Sequence, residues 1–273
     1  MVPSTRLSRG WMTPPKTMTK ALVPTMGALH AGHLALVDRA RELADEVVVS
    51  IFVNPTQFGA NEDFDRYPRT LDADRELLAG RADVFAPTVD EVYPPDNPPP
   101  VVSAGPLGDL WEGARRPGHF DGVLTVVNRL FDMVRPDVAV FGEKDWQQLA
   151  LIRAMAAERH HHIQIIGVPT VRDTDGLALS SRNRYLSAAE RKTAALIPAV
   201  LRDIVADGGT DESIVRAAAK LDQAGIIIDY IDVVDPVSLE PVRGSGPARV
   251  IIAARIGSTR LIDNLPVRSE SKR

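Results

Sequence analysis

The sequence contains no cysteine and no long apolar run. Without cysteine, its 273 residues cannot form disulfides, thiol nucleophiles or cysteine-ligated zinc and iron–sulfur sites. No stretch of about 18 consecutive apolar residues occurs, so we expect no membrane span. The N-terminal region is polar and lacks the apolar core of a signal peptide. These absences together favour a cytoplasmic protein.

The sequence also lacks a strong excess of either charge. Its formal net charge is -4, with 25% charged and 44% hydrophobic residues, the balance of an ordinary soluble globular protein. A nucleic-acid-binding surface normally shows as a basic patch, so we expect no nucleic-acid partner, although a small cationic pocket for phosphates is compatible with this charge. The length suits one large domain or two smaller ones.

Strand and helix patterns alternate over the first two thirds of the chain. Apolar and β-branched runs predict strands at 20–24, 46–54, 82–87, 137–142 and 163–172, and apolar residues at three- to four-residue spacing predict helices at 29–45, from Thr70 to 81, at 121–136 and at 145–159. Repeated strand–helix–strand units build parallel sheets with helices on their faces. We therefore predict an α/β fold, a Rossmann-like parallel sheet flanked by helices.

The pattern changes near residue 180. Two helical segments, 187–207 and 211–225, are followed by strand-rich segments at 226–235 and 248–264. This order predicts a smaller α+β C-terminal domain, and we place the two domains at 1–182 and 183–273.

Three further segments need an interpretation. We interpret the proline-dense stretch 87–106 as a long ordered loop with short edge strands rather than as an interdomain linker, because motifs on both sides of it have to share one site. Residues 1–19 show no clear periodicity and are expected to form a poorly ordered lead-in. The three histidines at 160–162 are interpreted as a solvated helix C-terminus rather than a metal site, since no nearby carboxylates complete a coordination shell.

The segment LVPTMGALHAGH, residues 22–33, carries the strongest functional signal. It follows the first predicted strand, and ligands of parallel α/β sheets bind where the loops after the strands converge. Gly27 permits a tight turn, and Gly32 permits the close approach of a ligand. His30 and His33 share one face of the first helical turn. They can donate hydrogen bonds to phosphate oxygens, more strongly if protonated, beside a helix N-terminus that also attracts anions.

The alternative for these histidines is a purely structural role in the core or in capping, which the flanking glycines disfavour. No G-x-G-x-x-G fingerprint follows the strand, so hydride transfer with a dinucleotide is not expected.

Several motifs together resemble one known family. H-x-G-H after a first strand is similar to the signature of the nucleotidyltransferase superfamily that includes class I aminoacyl-tRNA synthetases. The chain also contains, in order, SIFVNPTQF, YPRT, RPGHFDGVLTVV, FGEKDWQQL and GVPTVRDTDGLALSSRNRYLS. With VPTMGALHAGH, this set closely resembles the pantothenate synthetase family of pantoate–β-alanine ligases, densely over 22–187 and more weakly through VIIAARIGSTRLIDN.

The resemblance implies an ATP-dependent condensation of (R)-pantoate with β-alanine to pantothenate through a pantoyl adenylate, releasing pyrophosphate and AMP. The first transition state gathers negative charge on phosphate oxygens, and its stabilisation is mainly electrostatic. The resemblance assigns that stabilisation to a catalytic cationic cluster of His30, His33, Lys144 and Arg182. Because AMP is the leaving group, no protein nucleophile is needed, and the lack of cysteine is no handicap.

The resemblance also implies binding residues and partners. The residues expected to contact ATP are Met26, Gly27, His30, His33, Gly142, Lys144, Asp145, Val171, Leu179, Ser180, Ser181 and Arg182. Gln57 and Gln148 are expected to hold pantoate, because neutral amides leave its attacking carboxylate reactive. Val126 and Val127 are expected to cover its dimethyl group, with a pure core role as the alternative.

Magnesium is expected with ATP, held mainly by phosphates and water, with Asp74 as the candidate protein ligand. The resemblance further implies that 1–182 binds nucleotide and pantoate, that 183–273 acts as a lid, and that the protein is a homodimer.

The sequence departs from the family pattern at three points. The segment before the first strand is short and carries prolines where the family's N-terminal helix is expected, so either this helix is missing or the chain enters the sheet differently. Ala73 interrupts an acidic run next to Asp74, and Thr56 occupies the middle of NPTQF. A one-step nucleotidyltransferase for a pantetheine- or nicotinamide-type acceptor is the alternative within the class, and it would not require the two glutamines. A catalytically silent nucleotide-binding relative is disfavoured, because both imidazoles and both cations are present.

Overall fold

The computed structural model describes residues 18–60 and 62–268. The predicted lead-in and the place of the family's N-terminal helix lie outside these residues, except for 18 and 19. The strands are β1 (Lys20–Thr25), β2 (Glu46–Ile51), β3 (Asp83–Phe85), β4 (Val138–Gly142), β5 (Gln164–Val168), β6 (Ile227–Val234), β7 (Ala248–Ile256) and β8 (Thr259–Arg268). The helices are α1 (Ala31–Leu43), α2 (Leu71–Leu78), α3 (Val89–Val92), α4 (Trp111–Arg115), α5 (His119–Val134), α6 (Trp146–Arg159), α7 (Ala188–Ala194), α8 (Leu196–Ala206) and α9 (Asp211–Gln223). Over the described ranges, no helix combines the length and apolarity required to cross a membrane.

The first five strands form one parallel sheet in the order β3-β2-β1-β4-β5. Its central strands β1, β2 and β4 pack side chains into the core on both faces, as expected where helices cover a parallel sheet. In β1, Ala21 and Val23 pack into the cluster that contains α1, whereas Leu22 packs into the cluster of α5 and α6. A separate antiparallel sheet, β6-β7-β8, follows. The predicted fold class is confirmed, and the boundary between 182 and 183 stays a prediction.

The strand order reverses between β1 and β4. The chain proceeds outward from β1 through β2 to β3 and then returns to the other side of β1 with β4 and β5. The connections after β1 and β4 therefore lead away from each other, which opens a crevice at the carboxyl ends of these strands. The H-x-G-H segment follows β1 directly, and GEKD follows β4.

The proline-dense segment 87–106 is ordered, but the prediction that it contains edge strands is wrong. It holds the short helix α3 and otherwise irregular backbone. Its backbone N–H groups bond to side chains of α5 instead of to a strand: Val102 donates to Thr125 Oγ1 at 2.9 Å and Ala104 to Asp121 Oδ1 at 2.8 Å. Prolines lack the N–H donors that a strand ladder needs, so no strand forms here. The remaining backbone N–H groups donate to side-chain acceptors of α5 instead.

Two predicted C-terminal segments are each divided in the structure. The segment 187–207 forms α7 and α8 with a break at Ala195, because the ring of Pro198 clashes with the carbonyl of the residue four before it in a continuous helix. The segment 248–264 is a hairpin of β7 and β8 that turns at Gly257, whose φ is +55°.

The histidine run is solvated only in part, so its prediction is corrected at one position. His161 and His162 are exposed, but His160 is buried. Its ring packs edge-on against Phe131 at 5.3 Å and its Nε2 pairs with Asn128 Oδ1 at 3.0 Å. The first histidine is therefore part of the contact between α6 and α5. Among the described residues, no group of three or more His, Cys, Asp or Glu could hold a metal ion.

Candidate active site

A cavity of about 230 Å³, here called the inner cavity, opens at the carboxyl ends of β1 and β4. Most of the predicted site residues line it: Met26, His30, His33, Gln57, Val126, Val127, Gly142, Lys144, Asp145, Gln148, Val171, Leu179, Ser180, Ser181 and Arg182. Gly27 and Asp74 are not among its lining residues. The two imidazoles, the lysine and the arginine therefore share one cavity, although they are spread over about 150 residues of sequence.

A larger outer cavity of about 820 Å³ adjoins the inner one on the side of the C-terminal sheet. Six residues line both cavities: Gln57, Lys144, Asp145, Gln148, Ser180 and Arg182. Small-molecule sites usually have about 300–1,000 Å³, so the inner cavity alone is too small for a nucleotide and a second substrate. The two cavities together provide the required space.

The side chains of both histidines accept backbone N–H groups at the start of α1. His30 is the N-cap, and its Nδ1 accepts the N–H of Gly32 at 3.1 Å; His33 Nδ1 accepts the N–H of His30 at 3.2 Å. This is a capping box built from imidazoles. Because each Nδ1 accepts a hydrogen bond, the ring proton is on Nε2 in both residues. The imidazole centroids lie 4.1 Å apart.

Both imidazoles are neutral at physiological pH. Burial, followed by the charge of Lys144, lowers the pKa of His30 to about 4. Burial, followed by the charges of His30 and Lys144, lowers the pKa of His33 to about 3. The prediction that the histidines belong to a cationic cluster is therefore corrected: they offer neutral N–H donors, and the positive charge comes from the lysine and the arginine.

The turn before α1 is held by the carboxylate of Asp74. Gly27 and Ala28 both have left-handed backbone, with φ of +82° and +52°, a conformation that costs free energy for alanine. Asp74 Oδ2 accepts the N–H of Ala28 at 3.0 Å, and Oδ1 accepts the N–H of Leu29 at 2.8 Å. A Cβ on Gly27 would lie 3.0 Å from Asp74 Oδ2 and from Ile51. The glycine is thus required by both its φ and this close approach.

The structure does not support Asp74 as a magnesium ligand. Its side chain is 3% exposed, both of its oxygens accept backbone N–H groups, and Oδ2 also accepts the hydroxyl of Thr70 at 3.2 Å. A magnesium ligand needs an accessible oxygen that faces the phosphates, whereas Asp74 is buried and lines neither cavity. Its function is to hold the turn.

Lys144 lies in a short 3-10 turn, Glu143–Asp145, directly after β4. Its side chain is 19% exposed, and its Nζ is 3.9 Å from Asp145 Oδ2. The ammonium therefore retains access to a ligand while facing both imidazoles closely enough to lower their pKa.

Arg182 is bound to an acidic partner that the sequence did not suggest. Its Nε and Nη2 donate to the two carboxylate oxygens of Asp63, both at 3.0 Å. Burial opposes ionisation of Asp63, but the bond from Arg182 outweighs it and keeps the pKa of Asp63 below its usual value. Next to it in sequence, Glu62 accepts two hydrogen bonds from Arg116, at 2.6 and 2.5 Å. The carboxylates of Glu62 and Asp63 therefore balance the positive charges of two arginines at the rim of the cavities.

The amide of Gln57 is oriented by its neighbours. Asn54, 1% exposed, donates from Nδ2 to Gln57 Oε1 at 3.0 Å, so the Gln57 amide N–H group points the other way, toward Met26 Sδ at 3.2 Å. Asn54 Oδ1 in turn accepts the hydroxyls of Tyr93 at 2.7 Å and Thr56 at 2.9 Å. The threonine that departs from the family pattern thus joins this network.

The two glutamines of DWQQL have different surroundings. Gln147 is buried and uses its amide on backbone groups of Leu107, Leu110 and Glu112, whereas Gln148 lines both cavities. Val126 and Val127 are 5% and 4% exposed, belong to the core of α5, and also line the inner cavity. Both interpretations of these valines are therefore compatible with the geometry.

The LALSSRN segment lines the inner cavity through Leu179, Ser180, Ser181 and Arg182. The N–H of Leu179 donates to the carbonyl of Val171 at 2.9 Å, which ties the segment to the end of β5. Ser180 caps a 3-10 helix over Ser181–Tyr185 by accepting the N–H of Arg182. Capping and contact with an anion are compatible roles for these serines.

Several residues of the site were missed by the sequence analysis. Asn54 lies within the quoted motif NPTQF, and its buried polar side chain after a strand was a usable signal. Tyr93, Asp63 and Glu62 lie in loops without periodicity, and only the fold brings them to the cavities.

The parallel sheet, the H-x-G-H turn after β1 and the lysine turn after β4 place the molecule in the class of nucleotidyltransferase-like α/β enzymes. The model of the Pantoate-beta-alanine ligase family matches residues 4–266, and this chain belongs to that family. The ATP-dependent condensation of pantoate with β-alanine is the function of that family.

Individual relatives agree with the family match. The pantothenate synthetase of Rhizorhabdus wittichii is 56% identical over 255 residues, covering 90% of each chain, and that of Acidothermus cellulolyticus is 52% identical over 91% of this chain and 85% of its own.

Solved structures show the same likeness. The pantothenate synthetase of Thermus thermophilus superposes with a TM-score of 0.86 at 48% identity, covering 92% of this chain and 94% of its own. The pantoate-beta-alanine ligase of Francisella tularensis, complexed with beta-gamma ATP and beta-alanine, gives a TM-score of 0.78 at 36% identity over 93% and 92%.

Replacing Asp74 with asparagine tests its role in the turn. Asn offers one acceptor oxygen in place of two, so one N–H of the turn loses its partner, and we expect about 1.5–3 kcal/mol lower stability with a raised KM for ATP. Urea unfolding and steady-state kinetics measure both effects. The matched control is Asp72→Asn, whose side chain is 96% exposed on the same helix. A shifted Mg²⁺ requirement with unchanged stability would instead support the metal-ligand role.

The buried imidazoles predict how stability depends on pH. Between about pH 4 and 6, an unfolded His33 binds a proton that the folded one does not, so unfolding free energy falls as pH falls, by up to about 1.4 kcal/mol per pH unit for each such histidine. His33→Gln keeps a capping-box acceptor but cannot titrate, and its stability should fall less steeply. Urea unfolding at several pH values measures the slopes, with exposed His161→Gln as control. Equal slopes in wild type and His33→Gln would contradict the neutral imidazole.

Proposed function

We propose that this protein condenses (R)-pantoate with β-alanine to pantothenate through a pantoyl adenylate. A carboxylate oxygen of pantoate attacks the α-phosphorus of ATP, and the bond to pyrophosphate breaks. The amine of β-alanine then attacks the acyl carbon, loses its proton, and displaces AMP. The observation that supports this proposal most is the convergence of two imidazoles, Lys144, Arg182 and two glutamines on one cavity.

The proposed first step uses neutral donors beside a positive charge. His30 and His33 direct Nε2–H groups at phosphate oxygens. Lys144 supplies the positive charge that compensates the negative charge on the oxygens of the pentacoordinate α-phosphorus in the transition state. Donors of fixed orientation are most effective where charge develops, because they need no reorganisation during the reaction. The backbone N–H groups of Gly32 and His30, which donate to Nδ1 of His30 and His33 respectively, provide this fixed orientation.

Arg182 is proposed to contact phosphates after leaving Asp63. An arginine binds phosphate and carboxylate through the same planar set of donors, so a triphosphate at the junction of the two cavities competes directly with Asp63. The pairing with Asp63 compensates the half-buried guanidinium until that exchange.

Pantoate is proposed to lie between Gln57 and Gln148, with its dimethyl group against Val126 and Val127. The contact with Asn54 turns the Gln57 N–H group toward Met26, which lines the inner cavity. This orientation suits a hydrogen bond to an acceptor oxygen of the substrate. A neutral amide holds a carboxylate without stabilising its ground state as strongly as a cation would.

The remaining assignments are proposals of the same kind. Gly142, Asp145, Val171, Leu179, Ser180 and Ser181 are proposed to contact ATP. Magnesium is proposed to arrive with the nucleotide, held by its phosphates and water, and no protein ligand is assigned. We further propose a cytoplasmic homodimer in which residues 183–273 cover the outer cavity.

Removing either principal donor should slow the chemistry. Lys144→Ala and His33→Ala each remove a group that acts on the charged transition state, so kcat should fall by roughly 10²–10³, measured by pyrophosphate release. Lys192→Ala, on the exposed surface of α7, is the matched control and should be unchanged. Near-normal turnover of either site variant would refute the role assigned to that residue.

The order in which products appear tests the reaction itself. Pyrophosphate should be released from ATP only when pantoate is present, and AMP and pantothenate should appear in solution only after β-alanine is added. Rapid-quench analysis of all four species measures this. Pyrophosphate release that is indifferent to pantoate, or that responds to a pantetheine or nicotinamide mononucleotide acceptor instead, would indicate the one-step nucleotidyltransferase.

A further inference from the structure

We infer that Asn264, on the C-terminal sheet, is a positioning residue for Lys144. The inference rests on the proposed role of Lys144 and adds a residue that lies 120 positions away in sequence. Asn264 lines the outer cavity but not the inner one, and it acts on the backbone of the lysine turn.

The side-chain amide of Asn264 holds two consecutive carbonyls of the turn. Its Nδ2 donates to the carbonyl of Glu143 at 2.9 Å and to that of Lys144 at 2.8 Å. Asn264 is 3% exposed, so water does not replace these bonds readily. Both amide hydrogens bond to the turn that carries Lys144, the residue proposed to contact the phosphates.

The orientation of this amide is determined by the residues around it. Arg249 donates to Asn264 Oδ1, lies over the ring of Trp146 at 3.4 Å, and forms an ion pair with Glu143 at 3.3 Å. An arginine can only donate, so Asn264 Oδ1 must face Arg249 and the amide nitrogen must face the turn.

The backbone of Asn264 is fixed as well. Arg172 forms a bidentate pair with Asp263 at 2.7 and 2.8 Å and donates to the carbonyl of Asn264 at 3.2 Å. Asp263 is 3% exposed. A rigid point on β8 therefore carries the amide that holds the turn.

The lysine turn needs such support because it has few stabilising hydrogen bonds of its own. It is three residues long and begins at Gly142 without a side-chain cap. A lysine side chain is long and flexible, so the position of its ammonium depends on a well-placed backbone. A displacement of about 1 Å in a catalytic group can cost about 10²-fold in rate.

Asn264 could alternatively act only as one of several contacts between the two sheets. Trp111 provides a comparison: its Nε1 donates to the carbonyl of Leu239 at 2.8 Å, which also joins the two parts of the molecule, and this bond involves neither Glu143 nor Lys144. Substituting Trp111 therefore removes a contact of similar length without disturbing the lysine turn.

The test combines Asn264 variants with a Lys144 variant. Asn264→Ser and Asn264→Asp both lose the amide donors, one without and one with a new charge. Each should lower kcat by about 10- to 100-fold while changing the KM for pantoate less than about threefold. In a Lys144→Ala background, either substitution should lower kcat less than about threefold, because the group that Asn264 positions is gone. Trp111→Phe should leave kcat unchanged in both backgrounds.

Thermal unfolding of every variant separates loss of fold from loss of positioning. An Asn264→Ser effect on kcat that is equally large with and without Lys144 would overturn the inference, since a general structural role adds to any other defect. A normal kcat in folded Asn264→Ser would overturn it as well. Near-normal turnover of Lys144→Ala alone would instead remove the proposed role of Lys144, and the inference with it.

Discussion

A pair of hydrogen bonds from backbone to the carboxylate of Asp74 is the constraint on which the site depends. These bonds hold Gly27 and Ala28 in left-handed conformation, and the turn they form determines where α1 begins. The start of α1 in turn places His30 and His33. Consecutive N–H groups of such a turn often bind an anionic ligand. Here they bind the two carboxylate oxygens of Asp74, which lies outside the cavity. The phosphate-binding face thus remains available.

The same arrangement explains why histidines rather than lysines follow the turn. A capping box requires acceptors at both of its positions, and a neutral imidazole provides an acceptor on one nitrogen and a donor on the other. Lysine could not accept, and a carboxylate could not donate. Burial, followed by nearby charges that include Lys144, lowers the pKa values of His30 and His33, so the accepting nitrogens stay unprotonated. Charge and orientation are therefore supplied by different residues.

Much of the fold and part of the site could be predicted from the sequence. The strands of the parallel sheet followed from their apolar runs, and the helices α1, α5 and α6 from their spacing. The cavity residues were implied by the resemblance of several motifs to one family, and some of these motifs directly follow a strand. The prediction of edge strands in the proline-dense loop, by contrast, was wrong, because side chains of α5 supply the hydrogen-bond acceptors there. The role of Asp74 could not be read from its helix pattern, since its partners are backbone groups 45 and 46 residues earlier. Asp63 and Asn264 likewise became recognisable only through contacts made by tertiary structure.

The adjacent residues Glu62 and Asp63 connect two parts of the molecule. Their partners, Arg116 and Arg182, come from segments far apart in sequence, and Arg116 also donates to the carbonyl of Gln57 at 3.3 Å. A polyanion that draws Arg182 away from Asp63 therefore changes the charge balance one peptide unit from the residue that restrains Arg116. The Glu62–Asp63 dipeptide thus joins the segment that carries Arg182 to the backbone that presents Gln57.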